Sequence, residues 1–179
     1  MSDQVMVATG HRPPPLGGYQ ERIRHRVTDL AVAVIERYEP LTVVTGMALG
    51  WDQAVAEAAS KVQVPFHAIV PFQDYPSRWP LSSRTRYFQL LDRAQFVHVV
   101  VDQASMEDDN DYGKLSKPQL VSKYIHMRND FMLDYLIDEP GFVAALWNGE
   151  SGGTGSTVKK ALNRKLKVVN FWRSWEKHK

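Results

Sequence analysis

The sequence predicts an α/β fold, a Rossmann-like three-layer sandwich with a mainly parallel, doubly wound sheet. Three observations predict it. Short apolar runs alternate with helical patterns of ten residues or more, the mark of βαβ units whose right-handed crossovers cover both faces of a parallel sheet. At 179 residues, 44% hydrophobic and 23% charged, the chain fits one domain, taken as 1–179, with a sizeable core. Glycine-rich loops follow several of the strands, at the edge where such sheets bind ligands.

The elements follow in order. Residues 5–9 form an apolar run ending in Gly10, and residues 21–37 place Ile23, Val27, Leu30, Ala31 and Val34 on one helical face. A strand over 42–45, an alanine-rich helix over 52–62 and a third strand over 66–70 come next, then a polar loop broken by prolines. A helix over 82–94 leads to 96–101, the clearest β-branched strand, and a long amphipathic pattern runs over 119–137. Residues 142–147 make a fifth strand, 154–166 the last crossover helix and 167–171 the last strand, before a charged tail over 172–179. The long polar insertion, 102–118, holds Glu107, Asp108, Asp109, Asn110 and Asp111; it reads as a solvated loop, with a cation site or lid as the alternative. Neither an internal repeat nor a linker interrupts this order.

With no cysteine, disulfides, thiolate metal sites and cysteine nucleophiles are excluded. No apolar segment of signal-peptide or membrane-spanning type is present, so the expected address is cytoplasmic, with no membrane partner. A net charge of +2 speaks against a nucleic-acid partner, which needs many clustered cations. The cluster Arg22, Arg24, His25, Arg26 reads as the solvated face of a helix.

In a parallel sheet all strands end at one edge, so residues just after them meet there. These are Gly10, His11 and Arg12; Gly46 to Asp52, with Gly50; the loop 71–79; and the stretch Gly152, Gly153, Thr154, Gly155, Ser156, Thr157. Glycines admit close backbone approach, and the unpaired amides of a helix N-terminus favour an anion, usually phosphate. The 152–157 stretch is the strongest case; a flexible turn with a hydroxyl cap is the plainer reading. The 46–52 loop is neither a Walker A sequence nor a dinucleotide fingerprint, so classical NAD and ATP chemistry is disfavoured, and no cofactor or metal is expected. Asp52 either accepts ribose hydroxyls or caps a helix.

Arg128 lies within the apolar stripe of Leu120, Val121, Tyr124, Phe131, Met132 and Tyr135, four residues from both Tyr124 and Met132. A guanidinium aimed inward needs an anion: a carboxylate such as Asp134 or Asp52, or a ligand phosphate. Tyr75 and Trp79, in a proline-rich loop expected to be exposed, are candidates to stack on a base, whereas Trp51 reads as core. His11 is a weak candidate for acid–base work, with no paired carboxylate in sequence.

At these residues the chain resembles the SLOG superfamily, the Rossmannoid group containing DprA, the YpsA-like proteins and the Lonely Guy phosphoribohydrolases. It is most similar to the YpsA-like branch, through Thr9-Gly10-His11-Arg12-Pro13, the loop Thr45-Gly46 to Gly50 and Asp52, and Val70-Pro71-Phe72. Arg128 with Met132, and Gly152-Gly153-Thr154-Gly155-Ser156, resemble the Lonely Guy enzymes, which remove a base from a nucleoside monophosphate. The resemblance implies that Arg128 binds ligand or serves catalysis and that the glycine loop cradles phosphate. Those enzymes carry a glutamate three residues after the Ser or Thr, and this chain has Lys159 there; Glu150 is the candidate displaced carboxylate.

The expected function is therefore binding of a nucleotide or nucleotide-derived small molecule, as a sensor or sequestering protein. The alternatives are an N-glycosidase on a nucleoside monophosphate, using Glu150 or Asp52, and, on fold likeness to DprA alone, a DNA-binding module. Aromatics near Phe171, Trp172 and Trp175, expected to be exposed, suggest a homo-oligomer.

Overall fold

The computed structural model describes residues 4–106 and 116–177. Six strands, β1 (Val5–Gly10), β2 (Thr42–Thr45), β3 (Phe66–Phe72), β4 (Phe96–Val101), β5 (Gly141–Leu146) and β6 (Val168–Asn170), pair in parallel in the order β4-β3-β2-β1-β5-β6. The α-helices of six residues or more are α1 (Glu21–Tyr38), α2 (Trp51–Lys61), α3 (Leu81–Leu91), α4 (Lys117–Asp138), α5 (Gly153–Asn163) and α6 (Trp172–Lys177) among the described residues. This is the expected α/β Rossmann-like sandwich, and among the described residues its sheet is parallel throughout.

Successive strand residues point to opposite faces, and in the inner strands β1, β2, β3 and β5 both faces are buried, which is why these strands read as continuous apolar runs. Met6 and Ala8 of β1 join Val43, Phe66, Ala68, Phe142 and Ala144 in the larger core, with Val27, Ala31 and Val34 of α1 and Ala54, Ala58 and Ala59 of α2. Val5 and Val7 join Val44, Ile69 and Val143 on the other face, beneath Met132, Leu133 and Leu136 of α4 and Ala161 of α5. The alanines of α2 leave little bulk between it and α1, and both helices bury their facing sides.

Two boundaries move for identifiable reasons. Gln119 Oε1 accepts the Ser116 backbone N–H at 2.7 Å, one half of a capping box that starts α4 at Lys117 rather than 119. β3 runs on through Pro71 to Phe72. Its pairing with β2 ends at Thr45 opposite Ala68, so the proline's missing N–H lies beyond that ladder.

The tail is corrected outright. Residues 172–177 form α6, Trp175 is fully buried and Phe171 nearly so. Arg26 of α1 lies over the Trp175 ring at 5.4 Å; Phe171 and Trp175 are therefore core, while Trp172 is half-buried with its ring against His11. The acidic run Glu107 to Asp111 lies outside the described residues. Among those described, no helix is long and apolar enough to cross a membrane.

From β1 the chain winds outward to β4; α4 then carries it back to β5, on the other side of β1. The loops after β1 and β5 therefore leave a crevice between them, the topological switch point of the sheet.

Candidate functional site

At this switch point lies a cleft of about 260 Å³, whose walls include Gly10, His11, Arg12, Asp52, Arg128, Asn129, Gly153 and Thr154. Loops from β1, β2 and β5 and the middle of α4 thus converge, although their residues span most of the sequence.

Arg128 arrives on the buried stripe of α4, between Tyr124 and Met132, and is only 4% exposed. Its Nη1 donates to the carbonyl of Gly46 and stands 3.8 Å from Asp52 Oδ2, while its buried Nε has no hydrogen-bond partner. The Tyr75 ring lies 5.9 Å from the guanidinium. Asp134 is engaged elsewhere, by Arg164 Nη1 at 2.9 Å. The internal anion for Arg128 is therefore Asp52, held at a distance that leaves donor capacity unspent.

Asp52 is 5% exposed and does not cap α2; Gly50, at φ 98°, holds that position. Its Oδ2 accepts the Ala48 N–H at 3.4 Å. Burial raises its pKa from 3.8 to about 6, against the opposing pull of Arg128, the Ala48 amide and Arg12. A carboxyl with this value changes charge close to neutral pH, inside the cleft.

The glycines divide into two kinds. A Cβ on Gly10 would stand 2.5 Å from Trp51 Cβ, and one on Gly46 would stand 2.0 Å from Arg128 Nη1. These two make room for the protein's own side chains. Trp51 is fully buried, as expected, with Nε1 donating to Ala144 O at 3.0 Å. By contrast, a Cβ on Gly152 or Gly153 would meet nothing within 4 Å. No side chain caps α5, which leaves its first-turn amides without a side-chain partner, and Gly153 and Thr154 of that turn line the cleft.

The rest of the glycine stretch is turned inward. Gly155 packs under Trp147, and Thr157 donates to Gly153 O at 3.0 Å and accepts from Asn129 Nδ2 at 2.9 Å. Thr157 thereby sets the position of Asn129, a cleft residue that sequence reasoning missed. Asparagine inside a helix is a weak signal of a polar job there, since it is a poor helix former. Ser156 is half-buried, and Glu150 and Lys159 are exposed; none of the three is among the lining residues.

His11 Nε2 lies 2.7 Å from Asn148 Oδ1, and its ring meets Trp172 edge-on at 5.5 Å, which fixes the imidazole at the rim. Arg12 is exposed and reaches Tyr75 OH at 3.4 Å. The expectation of an exposed Tyr75 is corrected: the ring is 7% exposed and packs edge-on against Phe72, Trp79 and Tyr87. The loop folds back on itself, Tyr75 N–H donating to Phe72 O and Trp79 N–H to Pro76 O. Half-buried Trp79 instead lines an adjoining cleft of about 540 Å³, which shares Arg12 and Ile125 with the first.

No protein-family model and no curated protein matches the chain. Solved structures do. TM1055 superposes with a TM-score of 0.54 at 13% identity, over 92% of this chain and 72% of that one. DNA processing protein A (DprA) from Streptococcus pneumoniae gives 0.45 at 15% identity, over 93% of this chain and 58% of its own. The Helicobacter pylori DprA, described with a single-stranded DNA binding mode, gives 0.40 at 14% identity, over 94% and 75%. At these identities TM1055 shares the fold, and the function has to come from the site.

Proposed function

We propose that the protein binds a nucleotide or nucleotide-derived small molecule, with a phosphate held between the α5 N-terminus and Arg128, and that it retains the ligand rather than cleaving it. One observation carries this reading: a buried arginine with an unpartnered Nε lines the same cleft as an uncapped helix N-terminus whose glycines leave open space. Buried donors of this kind call for an anion, and phosphate answers both the guanidinium and the amides. The adjoining cleft beside Trp79 offers room and an aromatic wall for the base. Retention is favoured because Lys159, where the related hydrolases carry glutamate, and Glu150 are both exposed.

A second reading rests on Asp52. A buried carboxyl with a pKa near 6 in the cleft is suited to proton transfer, or to stabilising charge that develops on a ribose, as N-glycoside cleavage requires. The SLOG resemblance, and within it the YpsA-like branch, fits either reading.

The test is a thermal-shift panel of nucleoside mono-, di- and triphosphates, ADP-ribose and cyclic nucleotides, with chromatography for released base. A ligand at one hundred times its Kd stabilises by about 2.7 kcal/mol. Stabilisation of the wild type but not of Gly153→Glu, without free base, is the expected result. Free base whose release stops in Asp52→Asn would replace it with the second reading, and no stabilisation by any compound would overturn both.

A further inference from the structure

The loops 12–16 and 48–50 form a wall with two sides. Pro14, Pro15 and Ala48 face the cleft at the switch point, whereas Pro13, Leu16, Leu49 and Gly50 face a separate cavity of about 350 Å³. This cavity lies among the N-terminal ends of α1, α2 and α3 and shares no lining residue with the first cleft. Its volume is within the range of small-molecule sites.

Its polar groups are incomplete. Gln53 belongs to the lining and is fully buried; its Nε2 donates to Met47 O at 3.2 Å, which fixes the amide orientation and leaves Oε1 without a partner. A buried acceptor left unpaired is costly, so it marks a place where a donor belongs. Arg24 has an orphan too: its Nη2 reaches the exposed Glu21 at 2.9 Å and His25 Nε2 at 3.3 Å, while its Nε is buried with no partner. Arg86 pairs with Glu57, yet burial and the nearby Arg24 hold its pKa below the usual arginine value despite that pairing. Leu16, Ile23, Val27 and Leu49 give the wall an aliphatic part, and Glu21, Ser82 and Ser83 line its polar part.

We infer that this cavity is a second small-molecule site, for a planar and mostly apolar ring that donates one N–H or O–H to Gln53 Oε1 and places a carboxylate-like monoanion at Arg24. An apolar ring suits the aliphatic part of the wall, the donor satisfies the orphaned amide oxygen, and the anion answers Arg24, whose charge is felt at the neighbouring Arg86. The site does not depend on the nucleotide reading, because neither Arg128 nor the α5 N-terminus contributes to it.

Indole carboxylates with the acid at ring positions 2 to 6, paired with the benzofuran carboxylates that replace the ring N–H by oxygen, provide the probes. At low millimolar concentration at least one indole acid is expected to stabilise the wild type saturably in a thermal-shift titration. Its benzofuran counterpart should bind about tenfold more weakly, the loss of one hydrogen bond to a buried acceptor. Arg24→Ala, at a half-exposed side chain, and Ser83→Leu, which fills the cavity from α3, should both remove binding, while Gly153→Glu leaves it intact. The inference is overturned if no indole acid stabilises the protein, if Arg24→Ala and Ser83→Leu bind as the wild type does, or if the benzofuran partner binds equally well. Loss of binding in Gly153→Glu would also overturn it, by assigning the probe to the other cleft.

Discussion

Gly46 and Gly153 are glycine for opposite reasons, and the same kind of substitution separates them. A side chain at Gly46 collides with the Arg128 guanidinium, so Gly46→Ala should lower stability by about 1–3 kcal/mol through overpacking and also weaken ligand binding by displacing Arg128. A side chain at Gly153 meets open space, and a carboxylate in a helix's first turn is favourable by about 0.3–1 kcal/mol. Gly153→Glu should therefore unfold no earlier than the wild type in denaturant while losing the phosphate ligand; loss of stability instead would mean that the glycine serves the fold. Asp52 gives a further check. Its folded pKa, about 6, lies above the unfolded 3.8, so between those values the folded protein holds the extra proton. The stabilisation is complete below 3.8 and is lost as pH rises to about 6, by at most about 3 kcal/mol. Glu57 slopes the other way: burial alone would raise its pKa, but Arg86 brings it below the usual value, so its stabilisation fades as pH falls. The difference between wild type and Asp52→Asn, measured by urea unfolding from pH 4 to 7, isolates the Asp52 contribution. A pyrophosphate diester keeps its own charge over this range; its affinity should fall by up to about tenfold from pH 5 to 7 as Asp52 ionises, and stay level in Asp52→Asn.

The helices show which parts of the structure could be read from sequence. Every strand and every crossover helix was legible, because burial on one face of a helix and on both faces of a strand writes itself into periodicity. Arg128 was legible for the same reason, as a cation out of place in an apolar stripe. Asn129, one residue on, was not: periodicity says which side of a helix is buried and nothing about which polar residue faces a cleft. Tyr75 was misjudged because proline-rich loops normally lie on the surface, and only the packing of Phe72, Tyr75, Trp79 and Tyr87 turns this one inward. The tail was misjudged because charges outnumber aromatics in it, although Phe171 and Trp175, four residues apart, share a helical face. That correction has a measurable consequence. Trp175→Ala should lower stability by about 3–5 kcal/mol, as for a large core aromatic, whereas a surface tail would give a change within about 0.5 kcal/mol. Denaturant unfolding distinguishes these directly.

At the scale of the whole molecule, the strand order decides both where the cleft lies and where the surface is least protected. The reversal between β1 and β5 creates the crevice, and among the described residues the same winding leaves β4 and β6 as edges. β6 is three residues long and offers little. β4 is twice that length, and its Phe96, Val97 and Val99 are 46%, 42% and 39% exposed, in a kind of sheet whose faces are normally covered. Its face toward α4 is partly closed by His98 stacked on Phe131 at 4.3 Å; the side bearing Val97 and Val99 has less cover. An apolar edge strand with open backbone groups is a template for strand addition. Heated protein should accordingly scatter light with an onset that moves to lower temperature as concentration rises, and Val97→Lys with Val99→Lys should delay that onset while the unfolding midpoint in urea changes by little. A double variant that scatters as the wild type does would locate aggregation elsewhere; one that unfolds much earlier would mean that both valines are part of the core.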